Sequence, residues 1–208
     1  SIKVTKKLVQ ERLGHEKFEY GTKEKKNQVG VVTGLAYTAF GGDILQIEVN
    51  YFEGKGKLII TGQLGDVMKE SAEIALDYVK SNAKKFGIDV KFFETHDIHI
   101  HVPEGAVPKD GPSAGVTLTT AFVSALTNKA VDANCAMTGE VTLRGNVLPI
   151  GGLREKSIAA NRNGITKGFI PKGNVKDIDE LPDIVKEKIN FMPVDKVETN
   201  LKEAIIHD

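Results

Sequence analysis

A single cysteine, Cys135, in 208 residues excludes an internal disulfide framework and suits a reducing compartment. No apolar run approaches the roughly 20 residues that a membrane-spanning helix needs. The opening stretch, SIKVTKKLVQERLG, lacks the apolar core of a signal peptide. Neither sign of charge is in surplus: 28 lysines and arginines balance 28 acids, so no global field recruits nucleic acid or an anionic membrane. A GxxxxGK[ST] phosphate loop is also missing, which removes that kind of nucleotide site. These absences leave a chain expected to be soluble and cytoplasmic. Its 40% hydrophobic and 27% charged residues are ordinary for a globular protein, and its length suffices for a real core.

The pattern along the chain mixes helices and strands. Ile2, Val9 and Leu13 have helical spacing up to Gly14, a suitable helix stop. The polar stretch GTKEKKNQ (21–28) reads as a linker. Residues 1–28 are therefore expected to be the tail of an upstream domain, and 29–208 the folded domain. In GDILQIEVNYF, Leu45, Ile47, Val49 and Tyr51 alternate with Gln46, Glu48 and Asn50, which predicts a half-buried strand. KLIITG and DIHIHV predict two more. Residues 64–86 carry apolar side chains at three- and four-residue intervals and form the strongest amphipathic helix. Further helices are expected at about 113–126, at 153–164 with Gly164 as the stop, and at 197–206. GEVTLRGNVLPI (139–150) predicts a hairpin turning near Arg144–Asn146. KGFIP and INFMPV predict short strands flanking an acidic helix. Without a regular βαβ rhythm the class is α+β, an irregular α/β sandwich.

Chemistry concentrates at VPKDGPSAG, just before a helix-forming run. The plain reading of Ser113 is a helix N-cap. Three features argue for more. Pro108 and Pro112 pre-order the loop, Gly111 and Gly115 allow close approach of a ligand, and a helix N-terminus offers unpaired N–H groups suited to an oxyanion. A nucleophile still needs a base. GPSAG matches the GxSxG nucleophile elbow, but that elbow follows its strand at once and takes a late histidine, and here the only later one is His207. A His–Asp–Ser order could use His99 or His101 with Asp110. Lys156 is the third candidate: Leu153, Ala159 and Ala160 share its helix face, so it leaves from an apolar surface. A lysine there either snorkels to water or is desolvated. Acting as a base near neutrality requires its pKa to fall from roughly 10.4 to about 7–8, a cost of about 4 kcal/mol. Ser–Lys pairs are a known variant of the triad logic.

Two further readings compete. His99 and His101 share a strand face, as two metal ligands would, but His96 and Cys135 supply no matching spacing for a third and fourth. A Gly/Ser loop at a helix N-terminus also binds anions, and it loosely resembles the phosphate loop of small-metabolite kinases, though shorter. A non-catalytic binding or assembly module is the remaining alternative.

PKDGPSAG together with TGEVTLRGNVLPIGGLREK resembles the proteolytic domain of Lon, the ATP-dependent bacterial protease. The resemblance runs from about Val29 to the end and includes GGDILQIEV and GKGKLIITGQLGDVMKES. It implies a compact α/β domain in which Ser113 is the nucleophile and Lys156 the general base, a dyad 43 residues apart as in the family. It implies that Thr138 holds the lysine, and that Asp110, His99, His101, Glu48, Gly111 and Pro112 line or support the site. Asp110 is also expected to block or distort the site in an inactive state. It further implies a homohexameric ring degrading unfolded or tagged proteins, with ATP and Mg used by an upstream ATPase region and no cofactor in these residues. Residues 1–20 then match the end of that region.

Overall fold

The computed structural model describes residues 3–13, 26–103 and 108–206. The first helix, α1, spans Lys6–Leu13, with the Thr5 hydroxyl accepting the Leu8 N–H at its start. The linker expected at 21–28 and the stop at Gly14 lie largely outside the described residues. A two-residue strand, β1 (Gln28–Val29), pairs antiparallel with β6 (Ala130–Val131). The body of the fold is then β2 (Val31–Thr38), β3 (Gly41–Glu53), β4 (Leu58–Thr61), α2 (Asp66–Ser81), α3 (Phe92–Thr95), β5 (His96–His101) and α4 (Gly115–Thr127). After β6 follow β7 (Cys135–Met137), the hairpin β8 (Glu140–Val141) and β9 (Val147–Leu148), α5 (Leu153–Arg162) and β10 (Lys167–Pro171). A 3₁₀ helix (Lys172–Glu180), α6 (Asp183–Lys188), β11 (Asn190–Val194) and α7 (Val197–Ala204) complete the chain.

Seven strands form one mixed sheet in the order β11-β10-β7-β2-β3-β5-β4. β11, β10, β7 and β2 run parallel; β3 is antiparallel to both β2 and β5, and β4 is parallel to β5. The period-2 geometry of a strand sends alternate side chains to opposite faces. Val32, Ile47, Cys135 and Met137 join a core shared with α2, α4 and α7, and Leu35, Ile44 and Ala136 join a second core with Ala160 of α5 and Val185 of α6. Helices on both faces of a mixed sheet make the irregular α/β sandwich that the patterning predicts. No helix among the described residues is long and apolar enough to cross a membrane.

Several boundaries differ from the periodicity. α2 ends at Ser81 rather than near 86; Asn82 follows it with non-helical backbone angles (φ −113°, ψ 16°), its N–H and side chain both donating to the Tyr78 carbonyl. The expected acidic helix between β10 and β11 is two pieces, since Leu181–Pro182 interrupts it. β6 and β7 are too short and too uniformly apolar to announce themselves by alternation.

Candidate active site

β7 ends at Met137, where its one residue pairing with β2 (Gly34) also stops. The next residue, Thr138, is fully buried and donates its N–H to the Phe169 carbonyl of β10 (3.1 Å). Gly139 then leaves the sheet: its N–H donates to the Ser113 carbonyl (2.8 Å), and its own carbonyl accepts the Val116 N–H (3.0 Å). The short strand therefore opens a gap beyond its carboxyl end. Into it α4 delivers Ser113 from one face of the sheet, while α5 delivers Lys156 from the other.

α4 begins at Gly115, and the residue before it, Ala114, makes no side-chain capping bond. Ser113 is thus not the N-cap that the plain reading allowed. Among the described residues, no acceptor pairs with the Ser113 or Ala114 N–H. α5 can approach the sheet closely because β3 carries Gly42 beneath it; a Cβ there would stand 2.0 Å from the Glu155 carbonyl oxygen. That approach sets Lys156 over the gap, with its helix face of Leu153, Ala159 and Ala160 buried.

Lys156 Nζ donates to Ser113 Oγ at 3.1 Å and to Thr138 Oγ1 at 3.2 Å. The residue is only 3% exposed, so the snorkelling alternative does not hold. It makes no ion pair among the described residues. Burial without a compensating carboxylate pulls its pKa down to about 8.

The serine loop is stitched to the start of α2. The Asp110 carboxylate accepts the Met68 N–H (3.0 Å) and its neighbour Gly111's N–H (2.8 Å), which hold it below the usual carboxylate range; the Gly111 bond is the larger cause. Lys109 exchanges backbone bonds with Gln63 and Gly65. In this arrangement Asp110 caps α2 and makes no bond to Lys156 among the described residues. A cleft of about 260 Å³ opens over the pair, lined by Leu35–Ala39 of β2 and its turn, Asp43–Leu45, Met68, and Pro108–Gly111 with Ser113, Ala114 and Lys156.

The structure thus brings Ser113, Lys156 and Thr138 into contact and sets Asp110 and Gly111 in the cleft wall, with Pro112 between them and the serine. His99, His101 and Glu48 form a separate group on β3 and β5. The Thr61 hydroxyl lies 2.9 Å from His99 Nε2 and 2.7 Å from His101 Nδ1, and Glu48 stands opposite His101 in the strand register. None of the three is among the residues lining the cleft. No group of three or more His, Cys, Asp or Glu among the described residues gathers to hold a metal ion. Sequence reasoning missed Thr61 and the β2 wall, Leu35–Ala39, which carry no motif.

Comparison with known proteins supplies the family of the chain. Residues 3–207 match the family described as the Lon protease (S16) C-terminal proteolytic domain. The chain is 61% identical over 198 residues to a Lon protease of Mycoplasma mycoides subsp. mycoides, covering 95% of the chain and 25% of that protein. It is 56% identical over 205 residues to Lon protease 1 of Bacillus subtilis, covering 99% and 26%. Lon protease 1 of Myxococcus xanthus is 54% identical over 205 residues, covering 99% and 25%. The chain belongs to the Lon proteolytic-domain family. It spans about a quarter of the length of these relatives.

Proposed function

We propose that this chain is a serine endopeptidase domain working through a Ser113–Lys156 dyad. The observation that carries the reading is the 3.1 Å contact between the two side chains at a lysine that is buried without an acid. With a pKa of about 8, roughly a tenth of Lys156 is neutral at pH 7, against less than one part in a thousand for an unperturbed lysine. In the neutral form the Ser113 hydroxyl turns to donate to Nζ across the same distance.

The cycle balances within the chain's own groups. Lys156 takes the proton as Ser113 Oγ bonds to the peptide carbonyl carbon, and the Ser113 and Ala114 N–H groups receive the oxyanion. Collapse breaks the C–N bond while Lys156 returns the proton to the leaving amine. Water, deprotonated by the same lysine, then cleaves the ester and restores Ser113. Thr138 holds Nζ on line and its hydroxyl remains a fixed acceptor.

The wider setting is our extension of the family resemblance. We place residues 29–208 as the proteolytic part of a longer cytoplasmic ATP-dependent protease and residues 1–28 as the tail of its ATPase region. ATP and Mg act in that region, six copies form a ring, and unfolded or tagged proteins are the substrates. Two measurements test the core of the proposal. A fluorophosphonate should label Ser113, and Lys156→Ala should lose peptide cleavage while keeping its circular dichroism. Retained turnover by that variant defeats the dyad; tight ATP binding by this chain would favour the kinase-like alternative.

A further inference from the structure

A second cleft, of about 240 Å³, lies where α2, α4 and α7 end or begin, and shares no lining residue with the cleft at Ser113. Its walls include Phe86, Val123, Leu201 and Ile205. The site is prebuilt. Val131 bridges Ile205, the Ile206 N–H donates to the Ala130 carbonyl (2.9 Å), and Phe86 meets Tyr78 edge-on with ring centres 6.2 Å apart. Three lysines, Lys85, Lys129 and Lys202, line this cleft, with Glu198 the one acidic residue among the described lining residues. Lys85 is already paired with Glu198 at 2.5 Å. Lys129 and Lys202 are exposed and form no ion pair among the described residues. Lys202 also acts electrostatically on Glu198, and the described lining residues together carry two more positive than negative charges, on a protein whose total charge is balanced.

We infer that this cleft binds a small aryl-bearing monocarboxylate: an aryl body against Phe86, Val123, Leu201 and Ile205, with its carboxylate between Lys129 and Lys202. Three physical facts select that class. An apolar lining rewards an apolar body, while a lysine-rich lining with a surplus of positive charge rewards one anionic head. A dianion or phosphate would leave the apolar wall unused. The volume is below the roughly 300–1,000 Å³ typical of drug-sized ligands, which limits the body to about one ring. The inference stands independently of the dyad, because the two clefts are separate.

The test is a ¹H–¹⁵N titration of the chain with 4-phenylbutyrate, run beside 4-phenylbutan-1-ol and butyrate. Saturable shifts are expected at the amides of Val123–Lys129 and Leu201–Ile205, unchanged when Ser113 carries a fluorophosphonate. Each control should bind about tenfold more weakly, since one lacks the charge and the other the ring. The variant Lys129→Gln/Lys202→Gln alters only exposed side chains and should also lose about tenfold in affinity for 4-phenylbutyrate. Its binding of the alcohol should be unaltered. Equal affinity for acid and alcohol, shifts confined to the Ser113 cleft, or undiminished binding by the double variant would each overturn the assignment.

Discussion

The Gly139 N–H donates to the Ser113 carbonyl at 2.8 Å, which ties the chain leaving β7 to the residue that opens α4. Thr138 and Ser113 are thereby held at one fixed offset, and Lys156 bridges them from the opposite layer. The geometry of the proposed dyad therefore depends on a backbone contact that no polar side chain advertises.

That contact leaves no room for a side chain at position 139. A Cβ there would stand 2.7 Å from both Val116 Cγ2 and Val147 Cγ1, two buried methyl groups with little freedom to retreat. Gly139→Ala is expected to cost about 1–3 kcal/mol through overpacking. It should also slow fluorophosphonate labelling of Ser113 by more than the unfolded fraction explains. Urea unfolding alongside labelling rates checks both; unchanged stability contradicts the packing argument.

If Lys156 is the general base, activity and stability should depend on pH in related ways. Only the neutral amine accepts the serine proton, so the labelling rate should rise about tenfold per pH unit below pH 8 and level off above it. For stability, the folded pKa lies below the unfolded one, so between about 8 and 10.5 the unfolded chain binds more protons and stability rises with pH. Below pH 8 the full penalty of about 3 kcal/mol applies. Lys156→Met removes it, although the variant also leaves the buried Thr138 hydroxyl without its donor. The stability difference between wild type and variant should therefore shift in favour of wild type as pH rises from 8 to 10.5. Denaturation curves at several pH values check this, and a difference independent of pH is incompatible with a desolvated lysine.

In the proposed mechanism Thr138 contributes an acceptor to Lys156 rather than a reacting group. Thr138→Val keeps the shape and deletes one hydrogen bond, worth about 1 kcal/mol, so peptide turnover should fall roughly fivefold to tenfold. Thr138→Ser should recover most of that loss. Steady-state kinetics of the pair decides the matter: a serine variant no better than valine would mean that packing, not the hydroxyl, is what counts.

Much of this was legible in the sequence, for identifiable reasons. The alternation through Leu45, Ile47 and Val49 specified β3, because over that stretch one face of the strand is buried while Glu48 and Asn50 on the other are exposed. Periodicity specified α2 for the same reason. The apolar neighbours of Lys156 on its helix anticipated its burial. What stayed hidden was long-range pairing. β7 is three residues buried on both faces, so it carries no alternation, yet its early end creates the site. The placing of His99 and His101 around Thr61 also depends on β4 pairing with β5, which no local pattern specifies.

Asp110 is the hinge between loop and helix. Its charge caps α2 by accepting the Met68 N–H at the positive end of a 16-residue helix, while the Gly111 N–H fixes the turn that precedes Ser113. Asp110→Asn preserves one acceptor oxygen but removes the charge, so the thermal midpoint should drop at neutral pH. Because the folded pKa is depressed, the stabilisation is present above the ordinary carboxylate range and is lost as pH falls through the folded value. In acid the wild-type carboxyl is neutral as well, and the two melting curves should converge. Serine labelling by the variant should slow at neutral pH, since the loop loses its charged tether to α2. Thermal melts of both proteins from neutral to acid pH, with labelling rates at the upper end, test the chain of argument; a midpoint gap that persists undiminished in acid means that the carboxylate's charge does not anchor the loop.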